Sequence, residues 1–390
     1  MADSTETAAR MQSIEPFHVM DLLARARTLE AAGRSIIHME VGEPDFVTPP
    51  AIIEAGINAL KQGHTHYTPA VGLPELRAAI AHFYQEHHAV EISPRRIVIT
   101  PGASGALQLI LGILVNPGER VLMADPGYPC NRHFVRLFEG EPVSIPVDAG
   151  TGYQLTADLV DRYWSEHTRS VMCASPSNPT GTVLDSGELG AIADVVARHR
   201  GRLIVDEIYH GLVYDTAIPS VLELGDEAFV INSFSKYFGM TGWRLGWLVA
   251  PADFIEAIDR LAQNIFLAAS TPAQYAALAA FLPDSRIVLE QRREAFRQRR
   301  DFLLPALRQL GFDIPVIPQG AFYLYADCSR FTEDSFHFCH ELLDKAGVAI
   351  TPGCDFGHFQ AARHVRFAYT TSMENLQEGV DRLQRYLAGI

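Results

Sequence analysis

Several features that would point to other classes of protein are missing from this sequence. Its five cysteines are scattered and form no Cys-x-x-Cys pair, which argues against a disulfide framework and favours a reducing compartment. The longest apolar-rich run, residues 106–115, contains Gln108 and Gly112 and is too short to span a bilayer. Residues 1–16 carry acidic side chains and no apolar core, so we expect no secretory signal and a cytoplasmic location.

Basic residues are also in the minority. Lys and Arg number 32 against 46 Asp and Glu, which gives a net charge of −14, and no basic arm is present. Because phosphate backbones and anionic membranes are bound by clustered cations, we expect neither nucleic acid nor membrane as a partner. Lys236 and Arg244 stand out because they lie in the otherwise uncharged stretch NSFSKYFGMTGWRLGW, where each cation needs a partner.

Short apolar runs alternate with helical periodicity through the middle of the chain. These runs are continuous, which is typical of parallel strands covered on both faces. They are RRIVIT (95–100), ERVLMAD (119–125), RSVMCAS (169–175), RLIVDE (202–207) and AFVINSF (228–234). The alternation predicts an α/β fold with three layers, in which a doubly wound, mostly parallel sheet lies between helices.

The C-terminal part has a different character. A long charged helical pattern ends at Gly311 and is followed by the strand-like runs GAFYLYADC and HVRFAYT and by an amphipathic helix. We predict an N-terminal arm (1–14), a large α/β domain (47–285) and a smaller α+β domain built from residues 15–46 and 286–390.

Polar residues follow the predicted strands at their carboxyl ends, where open α/β sheets bind ligands. If the strands are neighbours, these side chains converge on one crevice. They are Gly102, Ala103, Ser104, Tyr128, Asn178, Asp206, Tyr209, Ser233, Ser235 and Lys236.

The Gly102–Ser104 stretch opens a helix and could cradle an anion with its backbone N–H groups. The segment GWRLGWLVAP (242–251) is predicted to be a strand that brings Arg244 to the same edge, where its guanidinium could hold a phosphate. From the residues alone, a tight turn at Gly102, a salt bridge at Arg244 and an internal ion pair at Asp206 remain alternatives.

The motifs, in order and spacing, resemble the class I and II aminotransferases, which depend on pyridoxal phosphate (PLP) and have the aspartate-aminotransferase-like fold of type I. The resemblance extends from residue 40 to residue 370. It is carried by EVGEPDF, HYTPAVGLPELRAAIA, TPGASGALQL, DPGYP, SPSNPTG, DEIYHGLVY, SFSKYFGMTGWRLGW and HVRFAYT.

The resemblance implies a role for each cofactor-binding residue. Lys236 would form a Schiff base with the PLP aldehyde, and Asp206 would keep the pyridine nitrogen protonated. Tyr209 and Asn178 would donate to the phenolic oxygen of the ring, and Tyr128 would stack on it. The phosphate would be held by Arg244 with Gly102, Ala103, Ser104, Ser233 and Ser235, and by Tyr67 from the partner of a homodimer.

For the substrate, the resemblance implies that Arg366 binds the α-carboxylate, helped by Gly42 and Asn178, with Tyr128 also in contact. The expected reaction is a ping-pong transfer of the amino group of an L-amino acid to a 2-oxo acid. Aromatic residues near the expected entrance suit an apolar or aromatic amino acid: Phe17, Phe46, Tyr67 and Phe266. Arg132 and His133 are candidates for binding an acidic side chain.

Two other functions remain open from the sequence. A carbon–sulfur β-lyase would use the same lysine, and a non-catalytic ligand-binding module would share the fold. His337, Cys339 and His340 lie close together in the chain but have no apparent further ligand, so no metal site is predicted.

Overall fold

The computed structural model of the protein describes residues 7–389. The predicted N-terminal arm therefore lies partly outside the described residues, because residues 1–6 are not among them. In the remainder of the arm, Ala9–Ser13 form a short 3-10 helix. Arg10 of this helix pairs with Glu139 at 3.4 Å, which holds the arm against the large sheet's edge region.

The centre of the described residues is a seven-stranded sheet in the order β2-β8-β7-β6-β5-β3-β4. Its strands are parallel to one another except for β8, which runs antiparallel to both of its neighbours. The doubly wound, mostly parallel sheet predicted from the sequence is confirmed. Its strands are β2 (Ile97–Thr100), β3 (Arg120–Asp125), β4 (Glu141–Pro146), β5 (Thr168–Ala174), β6 (Arg202–Asp206), β7 (Phe229–Ser233) and β8 (Gly246–Val249).

Both faces of this sheet are buried, which explains the continuous apolar runs. Val205 and Val230 belong to the hydrophobic core on one face, whereas Ile204, Phe229 and Ile231 belong to the core on the other face. Successive residues of a strand point to opposite faces, so a strand covered on both sides needs an apolar residue at every position.

Helices cover the two faces of the seven-stranded sheet and also form part of the smaller region of the molecule. Within residues 7–389 the α-helices are α1 (His18–Ala31), α2 (Pro50–Lys61), α3 (Pro74–His88), α4 (Gly102–Leu114), α5 (Pro129–Leu137), α6 (Ala157–Tyr163), α7 (Ser186–Arg198), α8 (Ile255–Ile265), α9 (Thr271–Leu278), α10 (Pro283–Leu310), α11 (Ser335–Glu341) and α12 (Met373–Leu387). None of these helices is both long enough and apolar enough to cross a membrane.

Two small sheets complete the described strands. An antiparallel sheet has the order β11-β12-β9, and a parallel pair joins β1 to β10. Their strands are β1 (Ile37–His38), β9 (Tyr323–Asp327), β10 (Val348–Ala349), β11 (Thr351–Pro352) and β12 (His364–Ala368). The β1–β10 pair joins the early chain to the C-terminal part, as the predicted small domain requires, although α10 begins before the predicted boundary at residue 286. The domain boundaries stay a prediction.

The segment that contains Arg244 differs from its prediction. Only Gly246–Val249 of the expected strand GWRLGWLVAP is extended, and Thr241–Trp243 form a 3-10 turn before it. Arg244 lies in this turn with a φ of 52°, and its Nη1 donates to Thr241 O at 3.0 Å. The turn keeps the guanidinium at the carboxyl edge of the sheet, because β8 runs back from that edge antiparallel to β7.

Candidate active site

A cavity of about 220 Å³ lies at the carboxyl ends of β5, β6 and β7. Its wall brings together most of the residues that the sequence singled out, from strands and loops far apart in the chain. They are Gly42, Ala103, Ser104, Tyr128, Asn178, Asp206, Tyr209, Ser233, Ser235, Lys236, Arg244 and Arg366.

Lys236 follows β7 and is the amine of this cavity. Its Nζ donates to the carbonyl oxygen of Gly42 at 2.7 Å. Burial lowers the pKa of Lys236 to about 8, and the positive charges of Arg366 and Arg244 act in the same direction, whereas Glu43 opposes them. A lysine with such a pKa supplies a free amine near neutral pH, which nucleophilic attack on a carbonyl carbon requires.

Asp206 is the last residue of β6 and the carboxylate of the cavity. Burial raises the pKa of Asp206 to about 6, against the opposing effects of the Ile208 amide and Lys236. The Ile208 N–H donates to its Oδ1 at 3.0 Å. A buried carboxylate in this position favours the binding of a ligand that brings a cationic or N–H group into the cavity.

Part of the cavity wall presents donors that are suited to an anion. Helix α4 begins at Gly102 with no side-chain cap, so its first N–H groups face the cavity beside Ala103 and Ser104. Gly102 lies just behind this wall with a φ of +69°, and a Cβ there would lie 2.8 Å from Nη2 of Arg244. The absent side chain thus lets the guanidinium and the helix N-terminus approach each other closely.

Two serine side chains complete this part of the wall. Ser233 and Ser235 are buried, and their hydroxyl oxygens lie 2.9 Å apart. The Ser235 N–H donates to Ser233 Oγ at 3.1 Å. Together with Arg244 and the start of α4, these hydroxyls form a set of donors typical of phosphate sites.

Tyr209 and Tyr323 form a hydroxyl pair in the wall. Their oxygens lie 2.8 Å apart, and burial raises the pKa of both, so each hydroxyl stays protonated and can donate. Tyr323 also requires the glycine at position 42, since a Cβ on Gly42 would lie 1.9 Å from the Tyr323 hydroxyl oxygen. Burial likewise raises the pKa of Tyr128, which lines the same cavity.

Arg366 on β12 is a buried guanidinium without an ion-pair partner among residues 7–389. It is 2% exposed. Nη1 donates to Asn178 Oδ1 at 2.8 Å, and Nη2 donates to the carbonyl oxygen of Glu40. The guanidinium carbon lies 4.3 Å from the ring centroid of Tyr323 and 4.8 Å from that of Phe356. Aromatic faces stabilise this cation only in part, so its charge favours an anionic ligand in the cavity.

Some residues named from the sequence lie elsewhere. Tyr67 is 82% exposed and is not part of the cavity wall. Phe46 packs edge-on against Phe296, with ring centroids 5.5 Å apart, and Phe266 packs against the core beneath α4 and α8. Of the four aromatic residues expected near the entrance, Phe17 lines the cavity.

Arg132 and His133 do not line this cavity either. Arg132 is buried, and its Nη2 donates to Asp355 O at 3.2 Å and lies 3.6 Å from a carboxylate oxygen of Glu15. Within residues 7–389, no group of three or more His, Cys, Asp or Glu side chains is suited to hold a metal ion.

Sequence reasoning missed several wall residues. Tyr323 lies in the apolar run GAFYLYADC, where the strand pattern indicates only a core position. The first turn of α1 contributes Val19 and Met20, which carry no chemical signal of a site. Their role depends on the packing of α1 against distant strands, and no local pattern encodes that packing.

Comparison with known proteins identifies the family. The family model described as aminotransferase class I and II matches residues 34–383. This chain belongs to that family. The aspartate-aminotransferase-like fold of type I and the transaminase class expected from the sequence are thereby confirmed, and class I and II aminotransferases depend on PLP.

Individual aminotransferases match the chain over nearly its whole length. It is 38% identical to a valine–pyruvate aminotransferase of Mycobacterium tuberculosis, over 98% of this chain and 99% of the relative. It is 36% identical to a (5-formylfuran-3-yl)methyl phosphate transaminase of Methanocaldococcus jannaschii, over 97% of this chain and 98% of that relative. A crystal structure of an aminotransferase from Mycobacterium tuberculosis superposes with a TM-score of 0.96 at 38% identity, covering 99% of this chain and 100% of that one.

The residues of this aminotransferase's cavity fit PLP. The open start of α4 with Arg244 suits a phosphate, and the close approach at Gly102 leaves no room for a side chain there. The carboxylate of Asp206 suits a protonated ring nitrogen, and the amine of Lys236 suits an aldehyde. The donors of Tyr209 and Asn178 suit an oxygen on the ring between them.

Proposed function

We propose that this aminotransferase moves the α-amino group of an L-amino acid with an apolar side chain to a 2-oxo acid in two half-reactions, through a covalent bond between Lys236 Nζ and the PLP aldehyde. The observation that carries the proposal is the convergence of Lys236, Asp206 and Arg366 on one cavity wall. An amine, a buried carboxylate and an unpaired guanidinium are three groups that transamination of an α-amino acid needs.

When bound, PLP supplies an aldehyde that condenses with amines and a ring that accepts electron density from the substrate Cα. Lys236 would act on the substrate as a general base, taking the proton from Cα and delivering it to the aldehyde carbon of the cofactor, two atoms away. Its pKa of about 8 leaves enough free amine for this role at neutral pH. Asp206 holds a proton at the ring nitrogen, because a buried carboxylate stabilises the positive charge there.

Arg366 binds and orients the substrate. Its two outer nitrogens can donate to both oxygens of an α-carboxylate, which fixes the direction of the Cα–H bond relative to Lys236. Asn178 and the carbonyl of Glu40 accept hydrogen bonds from the same two nitrogens and so orient the guanidinium plane. Gly42 supports this site by leaving room for the Tyr323 hydroxyl, which a Cβ at position 42 would displace.

The charges of the wall favour an apolar substrate side chain. Among the described residues that line the cavity, the cations are Lys236, Arg244 and Arg366, and each already has a role in the proposal. Arg132 lies outside this wall, where its Nη2 donates to Asp355 O and lies near a carboxylate oxygen of Glu15. The remaining wall near α1 is apolar and consists of Phe17, Val19, Met20 and Val41.

We also propose a homodimer in which Tyr67 reaches the phosphate of the partner's cofactor. Tyr67 is exposed together with apolar residues of α2 and of the turn before α9, and exposed apolar groups close together mark an interface. The segment with Tyr67 lies on α9, since Thr271 Oγ1 donates to His66 O at 2.7 Å. The exposed apolar residues are Ile53, Ile57 and Leu60 on α2, Val47 just before it, Ile265 at the end of α8 and Leu267 between α8 and α9.

A half-reaction screen tests the proposed function. Single amino acids are added to PLP-loaded protein without any oxo acid, and the absorbance of the lysine-bound cofactor is followed. We expect leucine, valine or phenylalanine to convert the cofactor stoichiometrically to its amino form, with aspartate much slower. A 2-oxo acid added afterwards should restore the original spectrum. Continuous production of pyruvate from cysteine without an oxo acid would indicate a β-lyase and contradict the proposal.

A further inference from the structure

Helix α1 begins without a capping residue of its own. The residue before it is Phe17, which offers no side-chain acceptor to the first N–H groups of the helix. Asp355 supplies the acceptors from 337 positions along the chain: His18 N donates to Oδ1 and Val19 N donates to Oδ2, each at 2.9 Å. A carboxylate at this position accepts hydrogen bonds from two N–H groups that have no partner within the helix. Its negative charge also interacts favourably with the positive end of the helix dipole.

The capped turn of α1 is also the apolar wall of the active site. Phe17, Val19 and Met20 line the cavity, and Val19 carries one of the two capped N–H groups. Asp355 itself is 2% exposed and does not line the cavity, so its carboxylate acts on the wall only through the backbone of α1. Two hydrogen bonds to one buried carboxylate therefore hold the backbone of the turn that carries these side chains.

The turn that contains Asp355 contacts two other parts of the site. The ring of Phe356, the next residue, lies under the guanidinium of Arg366. The carbonyl oxygen of Phe356 accepts from Gly127 N at 2.8 Å, one residue before Tyr128. This turn thus joins the apolar wall on α1, the proposed carboxylate-binding arginine and the loop with the stacking tyrosine.

Two further contacts hold the turn in place. The carboxylate of Asp125, at the end of β3, accepts from His358 N at 3.0 Å. Gly357 is packed against that carboxylate so closely that a Cβ would lie 1.7 Å from Asp125 Oδ1. On its other side, Arg132 donates to Asp355 O. The end of β3 and helix α5 thus both contact the turn that caps α1.

We propose that Asp355 is a positioning residue that determines specificity. By capping α1, it holds Phe17, Val19 and Met20 against the substrate side chain, in a fixed position relative to the carboxylate bound by Arg366. The proposal rests on the proposed function, since it assumes that an amino-acid side chain occupies this part of the cavity. A small side chain such as that of alanine does not reach the wall and is insensitive to its position, whereas a large apolar side chain is sensitive.

The test compares two capping aspartates in PLP-loaded protein. Asp334 is the matched control: it accepts from Phe336 N at 3.0 Å and His337 N at 3.1 Å at the start of α11, which does not line the cavity. We expect Asp355→Ala to lower kcat/KM for the best large apolar donor about five- to tenfold relative to that for alanine, the range of a lost helix cap. Asp334→Ala should leave this ratio within about twofold of the wild-type value.

A second measurement does not depend on activity. Hydrogen–deuterium exchange of the loaded protein should show the amides of His18 and Val19 exchanging about tenfold faster in Asp355→Ala, with the core strands unchanged. Asp334→Ala should speed exchange at Phe336 and His337, the N–H groups that Asp334 caps, and leave the amides of His18 and Val19 at the wild-type rate, although the Phe336 ring packs against His18 with ring centroids 5.3 Å apart. If Asp355→Ala does not fold, Asp355→Asn, which keeps one acceptor, is measured in the same way.

The outcomes separate the two proposals. An unchanged ratio of kcat/KM values, or wild-type exchange at His18 and Val19, overturns the role of Asp355 even if transamination is established. Failure of both variants to fold also overturns it, because the carboxylate would then support the whole domain rather than the wall. If the wild type transaminates no amino acid but the exchange result is obtained, the cap is correct and the proposed function is wrong.

Discussion

Arg366 on β12 donates from Nη1 to Oδ1 of Asn178 in the loop after β5, at 2.8 Å and across 188 positions of the chain. This bond joins the small antiparallel sheet to the large sheet at the cavity. In the proposed function, Asn178 therefore contacts both the ring oxygen of PLP and the arginine that binds the substrate. Cofactor and substrate carboxylate are held by one connected set of polar groups.

Arg366→Gln should raise KM for the amino acid and for the oxo acid by about 100-fold, because paired charge-assisted hydrogen bonds to the carboxylate are lost. PLP binding should be little changed. Steady-state kinetics with both substrates measure the effect. The control is Arg363→Gln, three residues earlier, where the guanidinium is exposed and pairs with Asp327 at 2.8 Å. Wild-type KM values in Arg366→Gln would exclude the carboxylate-binding role.

Arg244→Gln should weaken PLP binding about 10- to 100-fold, the range expected for hydrogen bonds to a charged group. Titration of the cofactor-free protein with PLP, followed by absorbance, gives the dissociation constant. Arg200→Gln is a suitable control, because Arg200 also has a left-handed backbone, with φ of 55° against 52° for Arg244, but lies away from the cavity. Equal affinities in the two variants would argue against a phosphate at this arginine.

Asp206→Asn should lower kcat by at least about 100-fold, with a much smaller effect on PLP affinity, because an amide does not hold the ring nitrogen as a cation. Single-turnover absorbance measurements separate the two quantities. The neighbouring carboxylate provides the control: Glu207 is also buried, accepts from Ser220 Oγ at 2.9 Å and does not line the cavity. Glu207→Gln should keep its kcat, and an unchanged kcat in Asp206→Asn would refute the role.

The pH dependence of cofactor attachment tests the environment of Lys236. Burial lowers its pKa to about 8, so the reactive free amine becomes the main form as the pH rises through that value. The rate of covalent attachment to PLP should increase about tenfold between pH 7 and pH 9 and then level off. A rate that continues to rise beyond pH 10 would indicate an ordinary exposed lysine and contradict the burial.

The central sheet could be predicted from the sequence because both of its faces are buried. Strands β5, β6 and β7 are continuous apolar runs, and they form the part of the sheet that carries Asp206 and Lys236. The edge strand β4 was missed, because Glu141–Pro146 mixes prolines and polar residues with its apolar ones, and half of its positions are only partly buried. The other edge strand, β2, is buried at every position and follows the predicted pattern, so incomplete burial rather than the edge position hides β4.

The chemistry of the site was predicted better than its shape. Lys236, Asp206 and Arg366 carry charges in apolar surroundings, so each is visible as an exception in the sequence. Tyr323, Val19 and Met20 are apolar or aromatic residues in apolar surroundings and do not stand out. Asp355 caps a helix 337 positions away, a contact that only the assembled fold creates. The domain boundaries, the role of Tyr67 and the cytoplasmic location stay predictions.

The most direct test of the account is chemical. PLP-loaded protein is reduced with borohydride, which fixes the cofactor to any amine bonded to its aldehyde, and the labelled peptide is mapped by mass spectrometry. The account predicts one label per chain, on Lys236, and none in Lys236→Ala. A label on another lysine, or no label on protein that transaminates, would contradict it.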